Sequence, residues 1–276
     1  MLNCDLKDDS RLGRQKLRVC AVSYLNTVPL VWGMMQGRER GVFDLDFAIP
    51  AECADRLERG QADIGIVPCA EIPRLGLKVI PGTGIACEGP VRSILLVSRV
   101  PLSQIRTLAA DVSSRSSVML ARIVLSKKYG CEPVFTPMRP DLPAMLESAD
   151  AALIIGDPAL HVDPNSVPFV VTDLGAEWLS LTGLPMVFAV WAGRPDAVTG
   201  DLAPAFADSL HEGLEHLEDI VRTEAPARGF PETLVSDYLT RHIRFELGDR
   251  EYKGMDLFLR YAAEMGSLSP LGTLSA

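Results

Sequence analysis

From about Leu17 onward, short apolar runs alternate with helical stretches for roughly two-thirds of the chain. Leu17–Val22, Ala62–Val67, Ser93–Ser98, Ala151–Ile155 and Met186–Trp191 are largely apolar runs of strand length, the pattern of strands buried on both faces. Phe43, Leu45 and Phe47 alternate with Asp44 and Asp46, which predicts a strand with one wet face. Lys78–Ile80, Thr107–Ala110 and Val134-Phe135 are shorter strand candidates, and Gly82–Gly89 reads as a glycine-rich turn. Helices are expected from Thr27 with Pro29 in the first turn, over Glu52–Arg59 closed by Gly60, from Val118 to Gly130, and over Leu142–Ser148. In the last third, Phe206, Leu210, Leu214, Leu217 and Val221 fall at spacings of four, four, three and four, one helical stripe. Two more helical stretches are expected near Glu232–Phe245 and Arg250–Met265.

Repeated strand–helix alternation predicts parallel sheets with helices on both faces. The alternation runs twice, before and after about residue 98, so two α/β lobes are expected. Ligands of open α/β sheets bind at the carboxyl ends of strands. That directs attention to the turns Ser23–Asn26, Pro68–Glu71, Gly82–Ser93, Ser113–Ser117 and Gly156-Asp157.

Composition narrows the function without naming it. The chain has 276 residues, 47% of them hydrophobic and 23% charged, enough for a substantial core. Its formal charge of −9 argues against a general nucleic-acid or anionic-membrane binder, since both favour a basic face. Residues 1–16 are polar and mix both charge signs, so no secretory signal is expected. No apolar run approaches the roughly 18 residues that a membrane-spanning helix needs. A cytoplasmic location follows as an expectation. Cys4, Cys20, Cys53, Cys69, Cys87 and Cys131 are scattered singly, which suits reduced thiols better than a disulfide framework or a zinc site. There is no G-x-G-x-x-G, no Walker-A loop and no G-x-S-x-G elbow, so neither a nucleotide cofactor nor a serine triad is indicated. His211 and His216 suggest a zinc pair at first sight. At five residues apart they point to different sides of a helix, and a solvated face is the better reading.

Several turns keep two readings. Ser113-Ser114-Arg115-Ser116-Ser117 precedes a helix and offers hydroxyls beside free N–H groups, either an anion site or plain N-capping. Asn26 follows the first strand, as a helix cap or as a site residue. Gly156-Asp157 puts a carboxylate at a strand's carboxyl edge, as a cap or as a hydrogen-bond acceptor. In Gly89-Pro90-Val91-Arg92-Ser93, the turn brings Ser93 to a strand start. All would face one cleft, and a cleft of neutral donors suits a small carboxylate-bearing metabolite.

Six motifs in order carry a resemblance. They are Ser23-Tyr24-Leu25-Asn26-Thr27-Val28-Pro29-Leu30; Ala62-Asp63-Ile64-Gly65-Ile66-Val67-Pro68 through Glu71; Gly89–Ser93; Ser114–Ser117; Ile155-Gly156-Asp157-Pro158-Ala159-Leu160; and Asp173–Trp178 with Thr182–Pro185. From about Leu17 to Trp191 the chain resembles the chorismate dehydratases of menaquinone biosynthesis by the futalosine route. Ser116 stands where threonine is more usual, and Met186 where phenylalanine is frequent. The resemblance implies an α/β, two-lobed, periplasmic-binding-protein-like type 2 fold, with three-layer α/β lobes and a cleft between them. It implies one discontinuous lobe of residues 17–97 and 190–276 with the C-terminal helices, an inserted lobe of 98–189, and a polar tail of 1–16. The crossovers are expected near Ser93–Ser98 and Phe188–Trp191.

The implied reaction is dehydration of chorismate to 3-[(1-carboxyvinyl)oxy]benzoate, with no cofactor and no metal. Asn26 and Ser93 are the implied catalytic residues. Tyr24, Glu71, Ser114, Arg115, Ser116, Ser117, Gly156 and Asp157 are implied to bind substrate. The implied partner is the dianionic small molecule, without nucleic acid or membrane, and a homodimer is admitted. No histidine falls in a matched motif, so the base is either Glu71, Asp157 or the enolpyruvyl carboxylate of the substrate itself. Two rivals remain: 1,4-dihydroxy-6-naphthoate synthase of the same pathway, whose first-turn motif differs and which uses a histidine, and a cytosolic small-carboxylate sensor.

Overall fold

The apolar runs pair into two sheets. The computed structural model describes residues 16–266, so the polar tail (but for Lys16), Cys4 and the last ten residues lie outside the described residues. The chain begins with β1 (Arg18–Val22), α1 (Val28–Gln36), β2 (Asp44–Ala48), α2 (Pro50–Glu58), β3 (Ile64–Pro68), α3 (Glu71–Leu75) and β4 (Lys78–Cys87). It continues with β5 (Ile94–Ser98), β6 (Thr107–Asp111), α4 (Ser116–Tyr129), β7 (Val134–Met138) and α5 (Leu142–Ser148). Next come β8 (Ala151–Ile155), α6 (Gly156–Leu160), β9 (Val170–Asp173) and α7 (Leu174–Thr182). Finally it forms β10 (Met186–Gly193), α8 (Ala203–Glu215), α9 (Leu217–Arg228), α10 (Glu232–Asp237), β11 (Arg244–Glu246) and α11 (Asp249–Glu264). The sheet of the first lobe has the order β11-β4-β10-β3-β1-β2, and that of the second lobe β7-β6-β8-β5-β9.

Both sheets are mixed, not parallel as the alternation predicts. β1 runs parallel to β2 and β3, and β6 parallel to β7 and β8. β10 is antiparallel to β3 and β4, β11 to β4, and β5 to β8 and β9. A fully buried strand is apolar whichever way it runs, so the sequence pattern carries no direction. The lobe edges also move. β5 pairs along its whole length with β8, and β10 pairs with β3 and β4, so the chain changes sheet before Ile94 and again before Met186. The expected edges at 97/98 and 189/190 cut through two strands that their hydrogen-bond ladders hold intact.

Three local expectations give way to tertiary contacts. Most of Gly82–Gly89 is strand, because β4 continues through it to Cys87. A Cβ on Gly84 would lie 2.6 Å from the Ala189 carbonyl, so the glycine is what lets β10 lie so close. The stripe from Phe206 to Val221 is two helices, interrupted at His216 with φ −102° and ψ 22°. The expected helix over Glu232–Phe245 is α10, then a π turn at Tyr238–His242, then β11. The Ile243 N–H donates to the Tyr238 carbonyl at 3.2 Å and closes that turn.

α4 is buried on nearly every side, from Val118 to Ala121 and from Ile123 to Leu125, as befits a helix with no polar face. It packs against α7 and α11, and Lys127 binds Glu264 at 2.8 Å, so the C-terminal helix touches both lobes. One apolar core continues from the first sheet to the near side of the second. A smaller one, with Leu95, Val97, Met145 and Ile154, fills the second sheet's far side. Cys20, Cys53, Cys69 and Cys87 are buried free thiols. No described helix is long and apolar enough to cross a membrane.

Candidate active site

The carboxyl ends of β1, β3, β6 and β8 converge on the gap between the sheets, and a cavity lies there. With its open mouth it spans about 510 Å³ of empty space. Tyr24, Asn26, Ser93, Ser114, Ser116, Ser117 and Gly156 line it, with Val22, Ile85, Ile155 and Phe188 as apolar walls.

Asn26 sits in the turn that carries β1 into α1. Its Nδ2 donates to Tyr238 Oη at 3.0 Å, and its Oδ1 is buried without a protein partner. Tyr238 Oη in turn donates to Ser93 Oγ at 2.8 Å. Three residues from distant parts of the chain thus form one hydrogen-bonded row. Tyr238 is buried, and that burial pushes its phenol well above the ordinary tyrosine range.

Ser93 is presented by an unusual backbone. Arg92 has φ +67°, a left-handed conformation uncommon for residues other than glycine. The fold holds it there from both sides. Asp173 accepts the N–H groups of Val91 at 3.0 Å and of Arg92 at 2.7 Å. The guanidinium donates to the carbonyls of Ala159 at 3.2 Å and Val162 at 2.6 Å, at the end of α6. Burial lowers the Arg92 pKa from its usual value.

Members of the serine cluster take different places. Ser114 Oγ accepts the Ser117 N–H at 3.1 Å and so caps α4. Ser116 Oγ accepts the Ala70 N–H at 3.3 Å from the facing lobe. Ser116 and Ser117, the first two residues of α4, line the cavity at the positive end of that helix. Beneath them Asp111 accepts from Ser113 through its N–H at 2.9 Å and its Oγ at 2.6 Å. Burial raises the Asp111 pKa. Tyr24 donates to Ser113 Oγ at 2.9 Å, and burial pushes its phenol up to about 12. Its ring lies over Gly156, which has φ +62° and where a Cβ would come within 2.5 Å of the ring. Only glycine fits both the backbone and the ring there.

Three candidates do not line the cavity. Arg115 reaches across to the first lobe, with Nη1 2.7 Å from Glu71 Oε2 and Nη2 2.5 Å from Asp55 Oδ1. Glu71 is 1% exposed and also receives Arg74 Nε at 2.6 Å. Asp157 accepts the Leu25 N–H at 3.0 Å and pairs with Arg228. The physical reason is common to all three. A charge at the closing rim of two lobes is stable only when the opposite face supplies its partner. These residues therefore join the lobes. Sequence reasoning missed Tyr238, which sits in a stretch read as plain helix and carries no local signal. It also took the apolar wall residues as ordinary core. Among the described residues no group of three or more His, Cys, Asp or Glu side chains is placed to hold a metal.

A family model described as menaquinone biosynthesis matches residues 17–264. The chorismate dehydratase of Thermus thermophilus is 29% identical over 231 residues, which cover 76% of this chain and 83% of that protein. Among solved structures, a protein of Archaeoglobus fulgidus aligns with a TM-score of 0.72 at 16% identity, covering 91% of this chain and 98% of that one. A Candida albicans protein described as having the generic periplasmic binding protein fold aligns with a TM-score of 0.66 at 14% identity, over 94% and 93% of the two chains. The periplasmic aliphatic sulphonate binding protein of Escherichia coli aligns at 0.59 and 15% identity, over 92% and 88%. At such identities these structures establish the fold, which is periplasmic-binding-protein-like.

Proposed function

We propose that this chain, which belongs to the menaquinone-biosynthesis family, dehydrates chorismate to 3-[(1-carboxyvinyl)oxy]benzoate. The observation that carries the reading is a cavity lined by neutral hydrogen-bonding groups and a helix N-terminus, while Glu71, Asp157 and Arg115 at its rim are engaged with other protein groups. Such a lining suits a dianion that has to lose water without encountering a competing carboxylate.

The chemistry is an elimination driven by aromatisation. The C3 proton leaves, and its electron pair delocalises through the ring diene onto the ring carboxylate. Hydroxide departs from C4, and the proton taken from C3 balances it as water. Donors aimed at the developing charge lower the barrier. Ser116 and Ser117 at the N-terminus of α4 hold a carboxylate, and Ser93 and Asn26 address the ring and its hydroxyl. Among the described residues no histidine and no carboxylate lines the cavity, which supports the enolpyruvyl carboxylate of the substrate as the base. The same reading puts the protein in the cytoplasm, at the first step of the futalosine route.

Purified protein mixed with chorismate should form the aromatic product, followed by chromatography and mass. Asn26→Asp and Ser93→Ala should each lower kcat on the order of 100-fold with melting temperature nearly unchanged, the usual cost of disturbing an oriented hydrogen-bonding group. Chorismate bound with no product in any buffer would point instead to a sensor. Near-wild-type rates in both variants would refute the site assignment.

A further inference from the structure

We propose that Tyr238 is a positioning residue, which sets the direction in which Asn26 and Ser93 address the substrate. The inference rests on the dehydratase reading and extends it to a residue outside the cavity lining. Its basis is the direction of two hydrogen bonds. Asn26 Nδ2 donates to Tyr238 Oη at 3.0 Å, and Tyr238 Oη donates to Ser93 Oγ at 2.8 Å. A phenol has one proton, and here it is committed to Ser93. The Ser93 hydroxyl proton is therefore free to point into the cavity, and Ser93 becomes a donor to substrate oxygen. The Asn26 amide is oriented by its Nδ2 bond, which leaves Oδ1 as a buried acceptor without a protein partner. One donor and one acceptor, fixed side by side, match a hydroxyl that must be held and then released. Burial keeps the phenol protonated across the working pH range, so the polarity of the row does not change with pH.

The fold places Tyr238 with a device of its own. The residue opens the π turn Tyr238–His242, between α10 and β11. The turn carries the chain from a helix on the first lobe directly into a strand that pairs with β4. π turns are uncommon and concentrate at functional sites. Tyr238 is 1% exposed, so its hydroxyl has no solvent alternative to these two partners.

The test is a double-mutant cycle in steady state on chorismate. Tyr238→Phe keeps the ring and removes the hydroxyl. We expect kcat to fall on the order of 10- to 100-fold, with KM changed by less than about threefold, because the lost orientation matters in the transition state. In the Ser93→Ala background the same substitution should lower kcat by clearly less than in the wild type, since only the bond to Asn26 is left to lose. A merely structural role would instead lower both backgrounds alike. In the wild-type protein a slowly exchanging tyrosine hydroxyl proton, detected by NMR and shifted by Ser93→Ala, should report the same donation without any change at Tyr238. Wild-type protein that makes no product removes the reaction, and this role with it. Normal wild-type turnover with Tyr238→Phe equally fast, or with full additivity on Ser93→Ala, or with no such proton, overturns the role alone.

Discussion

Asp63 takes three hydrogen bonds from Arg18, through its N–H at 2.9 Å, Nε at 3.1 Å and Nη2 at 2.7 Å. Arg194 Nη2 adds a fourth at 3.2 Å. The guanidinium of Arg18 holds the Asp63 carboxyl below the usual aspartate range. A depressed folded-state pKa stabilises the fold above the unfolded value of about 3.9, and that contribution disappears as pH falls through the folded value. Asp63→Asn should therefore cost about 1–3 kcal/mol at pH 7 in urea unfolding. The gap to wild type should shrink as pH is lowered below about 4. A gap equal at pH 7 and pH 3 would contradict the assignment. Glu71 poses the complementary residue-scale question, because it was one of the candidate bases. Its carboxylate is already bound by Arg74 and Arg115 outside the cavity lining. Glu71→Gln should leave a measurable kcat, with any loss appearing mainly in KM. Abolished turnover of the folded variant would revive Glu71 as the base.

At the scale of elements, β4 and β10 show what a sequence pattern resolves and what it does not. Leu142–Ser148 and Ala151–Ile155 are legible to the residue. Asp141 caps the helix by accepting the Ala144 N–H at 3.2 Å, and the strand is an unbroken apolar run stopped by Gly156. β4 is not legible beyond Ile80, because Gly82 and Gly84 look like turn chemistry until β10 is seen against them. Gly84→Val should test this. Its Cβ would meet the Ala189 carbonyl at 2.6 Å and Leu247 Cδ1 at 2.7 Å, so the sheet has to part. Overpacking of this kind costs about 1–3 kcal/mol. A melting temperature unchanged from wild type would mean that β10 does not lie so close. The site shows the same division. Asn26, Ser93 and the serines at α4 fall at strand ends and in recognisable motifs, so they can be found from sequence. Arg115, Glu71 and Asp157 fall there too, yet which charge faces them is decided by the opposite lobe. Tyr238 depends on a π turn, and no spacing of apolar residues encodes one.

For the whole molecule, a net charge of −9 gives a dianion no general attraction, so affinity has to come from a cavity that closes around neutral donors. Contacts between the two lobes close it. The Ala51 N–H donates to the Ser113 carbonyl at 3.1 Å, and Ser116 Oγ accepts from Ala70. Two ionic groups add to these: Arg115 with Glu71 and Asp55, and Asp157 with Arg228 and the Leu25 N–H. Each favours the closed arrangement from outside the cavity lining. If closure is an equilibrium, removing one group lowers the closed fraction, and the apparent affinity falls in proportion. A loss of about 1.4 kcal/mol in that equilibrium shifts it tenfold and, where the closed form is the minor state, costs about tenfold in affinity. Where open and closed forms are comparably populated, Arg115→Ala should raise KM for chorismate about fivefold, with kcat changed much less. The radius of gyration of the substrate-free protein in X-ray scattering should increase, and saturating chorismate should restore it. Arg115→Ala combined with Asp157→Asn should raise KM roughly by the product of the two single effects, since the two groups share no partner. A KM unchanged while the scattering radius grows would show that binding does not draw on closure. A kcat lost with KM intact would return Arg115 to the substrate itself.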